Sequence, residues 1–241
     1  MSVLRAPTIG VARLRVRTWH ADDHVAHITA AADGFGPLTT EEIRNCCAAL
    51  RREGYRGAVT AAMSRADQGP FLEAGFVPAE RLHLLLHSLN ELPGPALAAP
   101  AQVRRGRRRE LDDLLAVDQA AFNGMWRLDR VGLDEALSAT PTVHLRVARD
   151  AGGTIGYAIC GRAAHHGYVQ RLAVHPRAQG LGVGGTLLLD GLRWLRRWGA
   201  RDALVNTQEG NVRSLRLYQR VGFVLQPDGL TVLRLDLGAV P

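Results

Sequence analysis

Four glycines fall within the seven residues Gln179–Gly185 of the stretch RLAVHPRAQGLGVGGTLLLDGLRWLRRWG, residues 171–199. The run before them reads as a strand ending at Pro176. The run after them carries Leu187, Leu188, Leu192, Leu195 and Trp198 at helical spacing, with Gly199 suited to a C-cap. A glycine-rich loop that opens onto a helix lets several N–H groups converge without Cβ interference. The positive end of the helix dipole, about half an elementary charge, then favours a bound phosphate or pyrophosphate. The expected chemistry at Gln179, Gly180, Leu181, Gly182, Val183, Gly184 and Gly185 is therefore anion binding.

Two cofactor classes use such a loop. Gly180, Gly182 and Gly185 satisfy GxGxxG, with Glu209 beyond the next strand, which is the formal fingerprint of an NAD-dependent oxidoreductase. Against that reading, HPRAQ intervenes between strand and glycines, and the 56 residues after Gly185 are too few for the remaining units of a dinucleotide fold. The other reading takes Gln179-x-x-Gly182-x-Gly184. A second motif lies in ALVNTQEGNVRSLRLYQRVGF, residues 203–223, where Asn211, Ser214, Leu217, Tyr218, Gly222 and Phe223 are spaced along a strand and the following helix. Together the two segments resemble the GNAT acetyltransferase family, with Ser214 standing where alanine is usual.

The resemblance implies acetyl-CoA as cosubstrate, no metal, and transfer of an acetyl group to a primary amine of a small molecule or a protein N-terminus. In the family, backbone groups of the strand before the loop, here Leu172, Ala173 and Val174, pair with the pantetheine arm. The loop N–H groups of Gln179–Gly185 hold the pyrophosphate, Asn211 and Ser214 lie along the CoA arm, and Tyr218 protonates the leaving thiolate. Such a phenol has an ordinary pKa near 10. A packed helix aromatic is the plain alternative for Tyr218; its place within LYxxxGF favours catalysis. The family often carries a glutamate on the preceding strand as base, whereas this chain has Gln170, which cannot serve. Glu209, His175 and a water relay stay open, and Asp118 is expected on a solvated helix face. A regulatory module that binds acyl-CoA without turnover is the competing class. YVQRLAVHP, residues 168–176, is similar to the same segment of ribosomal-protein alanine acetyltransferases, which keeps a protein N-terminus among the acceptors.

The resemblance implies an α/β fold: a mixed, strongly twisted sheet flanked by helices and splayed at the strand before the loop. VRRGRRRELDDLLAVDQAAF, 103–122, reads as a short strand and a helix, and VHLRVARDAGGTIGYAICGR, 143–162, as two strands joined at Asp150–Gly153. Glu91–Gln102 concentrates Pro, Gly and Ala and reads as a linker. The division is thus residues 1–92, linker 93–101, and a complete acetyltransferase domain at 102–241.

The first region repeats the second. LRREGYRGAV at 50–59 matches LRRWGARDAL at 195–204 in six of ten residues, and FLEAGFV at 71–77 aligns with YQRVGFV at 218–224. The first copy looks degraded: Phe71 stands in the place of Tyr218, and Pro37 and too few glycines replace the phosphate loop, although Thr39 or Thr40 with a following glutamate makes a helix cap. It is read as a structural half-domain that covers a sheet edge or walls the acceptor site. Pairing a functional copy with a divergent one also resembles the mycothiol synthases, although this first copy is much shorter.

All 30 basic residues are arginine, and the net charge of +7 lies wholly in residues 101–241, where twenty arginines face thirteen carboxylates. An acidic ligand belongs there. Arg104–Arg109 lacks the aromatic interleaving of a nucleic-acid site. Cys46, Cys47 and Cys160, and likewise His165 and His166, have no metal-ligand spacing, and the apolar stretch Leu82–Leu89 is too short to span a bilayer. The expectation is a cytoplasmic enzyme, monomeric or homodimeric, without nucleic-acid or membrane partners.

Overall fold

Alternating apolar residues form strands, and three-to-four-residue spacing forms helices, along the chain of the computed structural model, which describes residues 13–19, 22–30, 36–94 and 101–238. In chain order the first elements are β1 (Leu14–Trp19), β2 (Asp22–Ala30), α1 (Thr40–Arg52), β3 (Gly57–Thr60), α2 (Gly69–Glu73) and β4 (Val77–His87). Next come β5 (Gln102–Arg105), α3 (Leu111–Ala121), α4 (Arg130–Ser138), β6 (Thr142–Asp150), β7 (Gly153–Ala163) and β8 (His166–Val174). The chain closes with α5 (Val183–Arg197), β9 (Asp202–Gln208), α6 (Val212–Val221), β10 (Val224–Leu225) and β11 (Leu230–Asp236). No helix among the described residues is long and apolar enough to cross a membrane.

Packing divides the chain into two units, residues 1–83 with 227–241, and residues 84–226. In the first, β1 lies antiparallel to β2, β2 parallel to β3, and β11 runs antiparallel to both β3 and the first half of β4. Its core joins Ile43, Cys46 and Leu50 of α1 to Phe71, Phe76, Leu233 and Leu237. The Thr39 cap forms as expected: Glu42 N–H donates to Thr39 Oγ1 at 3.2 Å, and Glu42 Oε2 accepts from Thr39 N at 2.8 Å. Such a reciprocal cap is worth about 1 kcal/mol.

In the second unit the strand order is β5-β6-β7-β8-β9, with the end of β4 beyond β9 and β10 paired to it through Val224↔Leu86 and Leu225↔Leu85. The segment 93–101 lies in this unit's stretch, and 95–100 fall outside the described residues. Period-two alternation sends β7 side chains to opposite faces. Tyr157 and Ile159 pack on Leu111, Leu114, Val117 and Leu133 of α3 and α4, whereas Cys160 packs with Leu188, Leu192 and Leu195 of α5.

Strand β8 is irregular on both of its edges. Ile159 pairs with Arg171 and Cys160 with Val169, so Gln170 is an extra, bulged residue. On its other edge β8 pairs in parallel with β9 only at His166–Tyr168, opposite Asp202–Leu204, and from Val169 onward it has no β9 partner. This is the splay expected before the glycine loop.

Local geometry recurs between the two regions. Tyr55 N donates to Leu50 O at 3.1 Å and Ala200 N to Leu195 O at 3.0 Å, after Gly54 and Gly199 at φ +88° and +83°. Arg56 N reaches His24 O and Arg201 N reaches His165 O, both at 2.8 Å. Phe71 meets Phe76 edge-on at 5.4 Å, and Tyr218 meets Phe223 in the same way at 5.7 Å. The strands differ in one respect. All four residues of β3 pair with β2, and Ala61 N adds a bond to Ile28 O at 3.0 Å, so this pair stays closed where β8 and β9 part.

Candidate functional site

The site grows from the edge that β9 leaves. Leu172, Ala173 and Val174 pair with β7 on one side, through Ala158↔Leu172 to Gly156↔Val174, and have no strand on the other. Ala173 is buried with the α3 and α4 cluster, whereas Leu172 and Val174 pack with Val183 and Leu187 of α5. The backbone edge itself can pair with an extended, amide-bearing chain.

Beyond a 3-10 turn at Pro176–Ala178, the loop reverses direction at Gly180 (φ +85°) and Gly182 (φ +81°), a left-handed conformation that an L side chain adopts at a cost. Gly184 is small for a different reason: a Cβ there would meet Leu217 of α6 at 3.3 Å and Val174 at 3.5 Å. Gly182 is the N-cap of α5 and offers no side chain, and among the described residues the N–H groups of Gly180 to Gly185 find no acceptor in the protein. Gln179 braces the loop rather than facing out. Its Nε2 donates to Val174 O at 2.9 Å, and its Oε1 accepts from Arg213 of α6. The arrangement suits an anion with several oxygens.

Helix α6 stands beside the loop. Asn211 is its N-cap, with Oδ1 accepting from Ser214 N at 3.1 Å and Nδ2 3.5 Å from Gln208 Oε1, so its first duty is to start the helix. Tyr218 is 6% exposed and packs among Cys160, Leu188 and Phe223, and among the described residues its hydroxyl has no protein hydrogen-bond partner. Burial raises its pKa well above the ordinary phenol value. The potential of Cys160 adds to the rise and the Arg171 charge opposes it. The group is therefore a protonated donor throughout the neutral range.

One residue departs from expectation. Asp118 is fully buried, not on a solvated face. It takes Arg171 Nε and Nη2 at 2.7 Å each, Tyr157 Oη at 2.6 Å and Leu128 N at 2.8 Å. The sequence held the signal: Leu111, Leu114, Asp118 and Ala121 fall on one helical stripe, and an aspartate on an apolar stripe is buried only when paired. Nothing in the sequence named Arg171 as the partner, 53 residues away.

Against known proteins, the profile of the Acetyltransferase (GNAT) family matches residues 111–223. A mycothiol acetyltransferase of Mycobacteroides abscessus is 30% identical over 205 residues, covering 80% of this chain and 67% of the relative. The chain belongs to the GNAT acetyltransferase family. Another mycothiol acetyltransferase, from Thermomonospora curvata, is 29% identical over 224 residues, covering 82% and 74%. Solved GNAT structures share the fold at lower identity. A tandem GNAT protein of the clavulanic acid biosynthesis pathway has TM-score 0.67 at 13% identity, covering 93% of this chain and 78% of its own. A GCN5-related N-acetyltransferase from Sphaerobacter thermophilus gives 0.64 at 15%, covering 93% and 76%.

The GNAT fold removes the dinucleotide reading of Gly180, Gly182 and Gly185. Among the described residues of this unit, β5 to β8 run antiparallel, each to the next, and only β8 and β9 form a parallel pair, whereas a dinucleotide fold builds its site on a mostly parallel sheet. Where a GNAT acetyltransferase needs a proton acceptor, the side chains here are poorly disposed. Gln170 donates Nε2 to Thr140 Oγ1 at 3.2 Å, and its buried Oε1 has no partner. His175 uses Nδ1 to accept from Arg177 N at 3.2 Å, so the ring nitrogen that lacks a proton is already engaged. Glu209 is exposed on the turn after β9.

Proposed function

We propose that this enzyme transfers the acetyl group of acetyl-CoA to a primary amine of a small molecule or a protein N-terminus. The observation that carries the reading is the juxtaposition, within one unit, of an unpaired β8 edge at Leu172–Val174, a loop of free N–H donors at Gly180–Gly185, and the protonated Tyr218. The β8 edge would pair with the pantetheine amides. The loop and the positive end of α5 would hold the pyrophosphate, with Asn211 and Ser214 bordering the arm. The amine nitrogen attacks the thioester carbonyl, the carbon–sulfur bond breaks, and Tyr218 gives its proton to the departing sulfur. The proton lost from the amine leaves through water, since Gln170 cannot take it, and water returns a proton to Tyr218 before the next turnover. Because the curated relatives are named for mycothiol, a mycothiol-type amine is the first small-molecule acceptor to test, beside an alanine-initiated peptide.

The division into residues 1–92, a linker at 93–101 and a transferase domain at 102–241 is part of the same proposal, the first region being a reduced copy without a cofactor site. In support, Phe71 occupies the place of Tyr218 with the same edge-on partner, the β2–β3 pair is closed, and a tandem GNAT protein shares the fold across both regions. A cytoplasmic location accords with three free, buried cysteines.

Calorimetric titration of the purified protein with acetyl-CoA, and separately with NADH, tests both parts. One acetyl-CoA site and no NADH binding are expected; two sites would restore the first copy as a binding domain. Absence of acetyl-CoA binding would end the transferase reading. A second reading, an acyl-CoA sensor without turnover, is favoured only by Gln170 in the base position. Thiol release under acceptor screening separates the two.

A further inference from the structure

Arg171 follows the Gln170 bulge directly and precedes Leu172–Val174, the stretch of β8 that lacks a β9 partner. Its guanidinium faces α3 and grips the connection between α3 and α4 at several points. Nε and Nη2 bond Asp118 in fork geometry at 2.7 Å each, Nη2 also donates to Trp126 O at 2.6 Å, and Cζ lies 3.6 Å from the centroid of the Phe122 ring. Asp118 extends the grip to Leu128 through its backbone N–H at 2.8 Å and anchors it to β7 through Tyr157. Between those points the segment 122–128 has only a 3-10 turn at Gly124–Trp126, and Asn123, Gly124 and Arg127 are exposed. One buried ion pair therefore pins a span with little structure of its own onto the strand that would present the thioester.

An amine reaching a thioester at the β8 edge comes from one face of the sheet or the other. On the face of Leu172 and Val174 stand α5 and its loop. On the opposite face, with Ile159 and Ala173, lie Phe122 and Leu128. The geometry points to the Arg171–Asp118 pair as a positioning device that holds the segment 122–128 as the acceptor-side wall and keeps bulk water from the thioester. The inference rests on the acetyl-CoA reading above.

The test compares the full chain with Arg171→Lys, which keeps the charge and loses the fork, and with Asp118→Asn. Three quantities are read: tryptic cleavage after Arg127, CoA thiol release from acetyl-CoA in water without any amine, and acetyl-CoA affinity by calorimetry. Cleavage after Arg127 should quicken about tenfold and hydrolysis about fivefold, with affinity within about twofold of the parent. Rates equal to the parent, or faster cleavage without faster hydrolysis, would overturn the assignment. So would an affinity loss of about tenfold, since the pair would then serve the cosubstrate site. If both variants fail to fold, Tyr157→Phe removes a single hydrogen bond from Asp118 and carries the same readouts at smaller size. A parent chain that binds no acetyl-CoA would instead sink the acetyl-CoA reading, while cleavage after Arg127 still reports whether the pair pins the segment.

Discussion

Tyr218→Phe deletes one oxygen, and its surroundings separate two consequences that usually travel together. The hydroxyl has no protein hydrogen-bond partner among the described residues, and the ring keeps its edge-on contact with Phe223 at 5.7 Å, so folding stability should change by less than about 1 kcal/mol. Loss of a general acid costs about 100-fold to 10,000-fold in rate. A thiol leaves more readily than an alkoxide, its ordinary pKa being near 8.5, so the lower figure applies. A loss of about 100-fold corresponds to about 2.7 kcal/mol of barrier. Because burial raises the phenol pKa, Tyr218 stays protonated beyond pH 10 and the deficit should be constant between about pH 6.5 and 9.5. Thiol release gives kcat, calorimetry the acetyl-CoA Kd and thermal melting the stability. A kcat within about threefold of the parent, or a fall in kcat matched by an equal loss of acetyl-CoA affinity, would refute the assigned role.

Other perturbations test the frame around it. Gly182→Ala forces an L side chain to φ +81° and should cost about 1 kcal/mol together with about tenfold in acetyl-CoA affinity, whereas Gly54→Ala, at φ +88° in the first unit, should cost similar stability and no affinity by calorimetry. His87 accepts from Leu89 N on Nδ1 at 2.9 Å and so donates Nε2 to Val221 O at 3.1 Å; burial lowers its pKa, so the unfolded chain takes up the proton first and stability should fall as pH drops below 6.5. His87→Leu should cost about 1–3 kcal/mol at pH 7.5 by orphaning both partners, and flatten the melting profile between pH 7 and 5. Glu110 is held at a pKa of about 2, chiefly by Arg104 and also by the Arg107 N–H, so its stabilisation is present above the ordinary value of 4.5 and fades as pH falls toward 2. Acid melting of Glu110→Gln should lose that slope.

How much could be read from the sequence depends on how local each constraint is. The glycine loop, α5 with its Gly199 stop, and the α6 motif were legible because positive φ and helical spacing are written within a few residues. The match of LRREGYRGAV to LRRWGARDAL is local in the same sense, since six shared residues in ten and a Phe for a Tyr need no knowledge of pairing. Strand partners were not. β11 comes after the second unit in sequence yet pairs with β3 and β4, and the end of β4 joins β10, because backbone pairing is indifferent to sequence distance. Side-chain alternation records that a strand is buried, not whom it meets. The bulge at Gln170 was hidden likewise: it exists only relative to Cys160 and Ile159 opposite, and it brings Arg171 into line with Ile159 and within reach of Asp118. Asp118 shows how the limit can be pushed. A carboxylate on an apolar helical stripe, in a region whose net charge comes wholly from arginine, should be read as buried and paired with an arginine on the sheet that the stripe covers. The sequence then narrows the partner to the arginines of the neighbouring strands, and only the register decides among them.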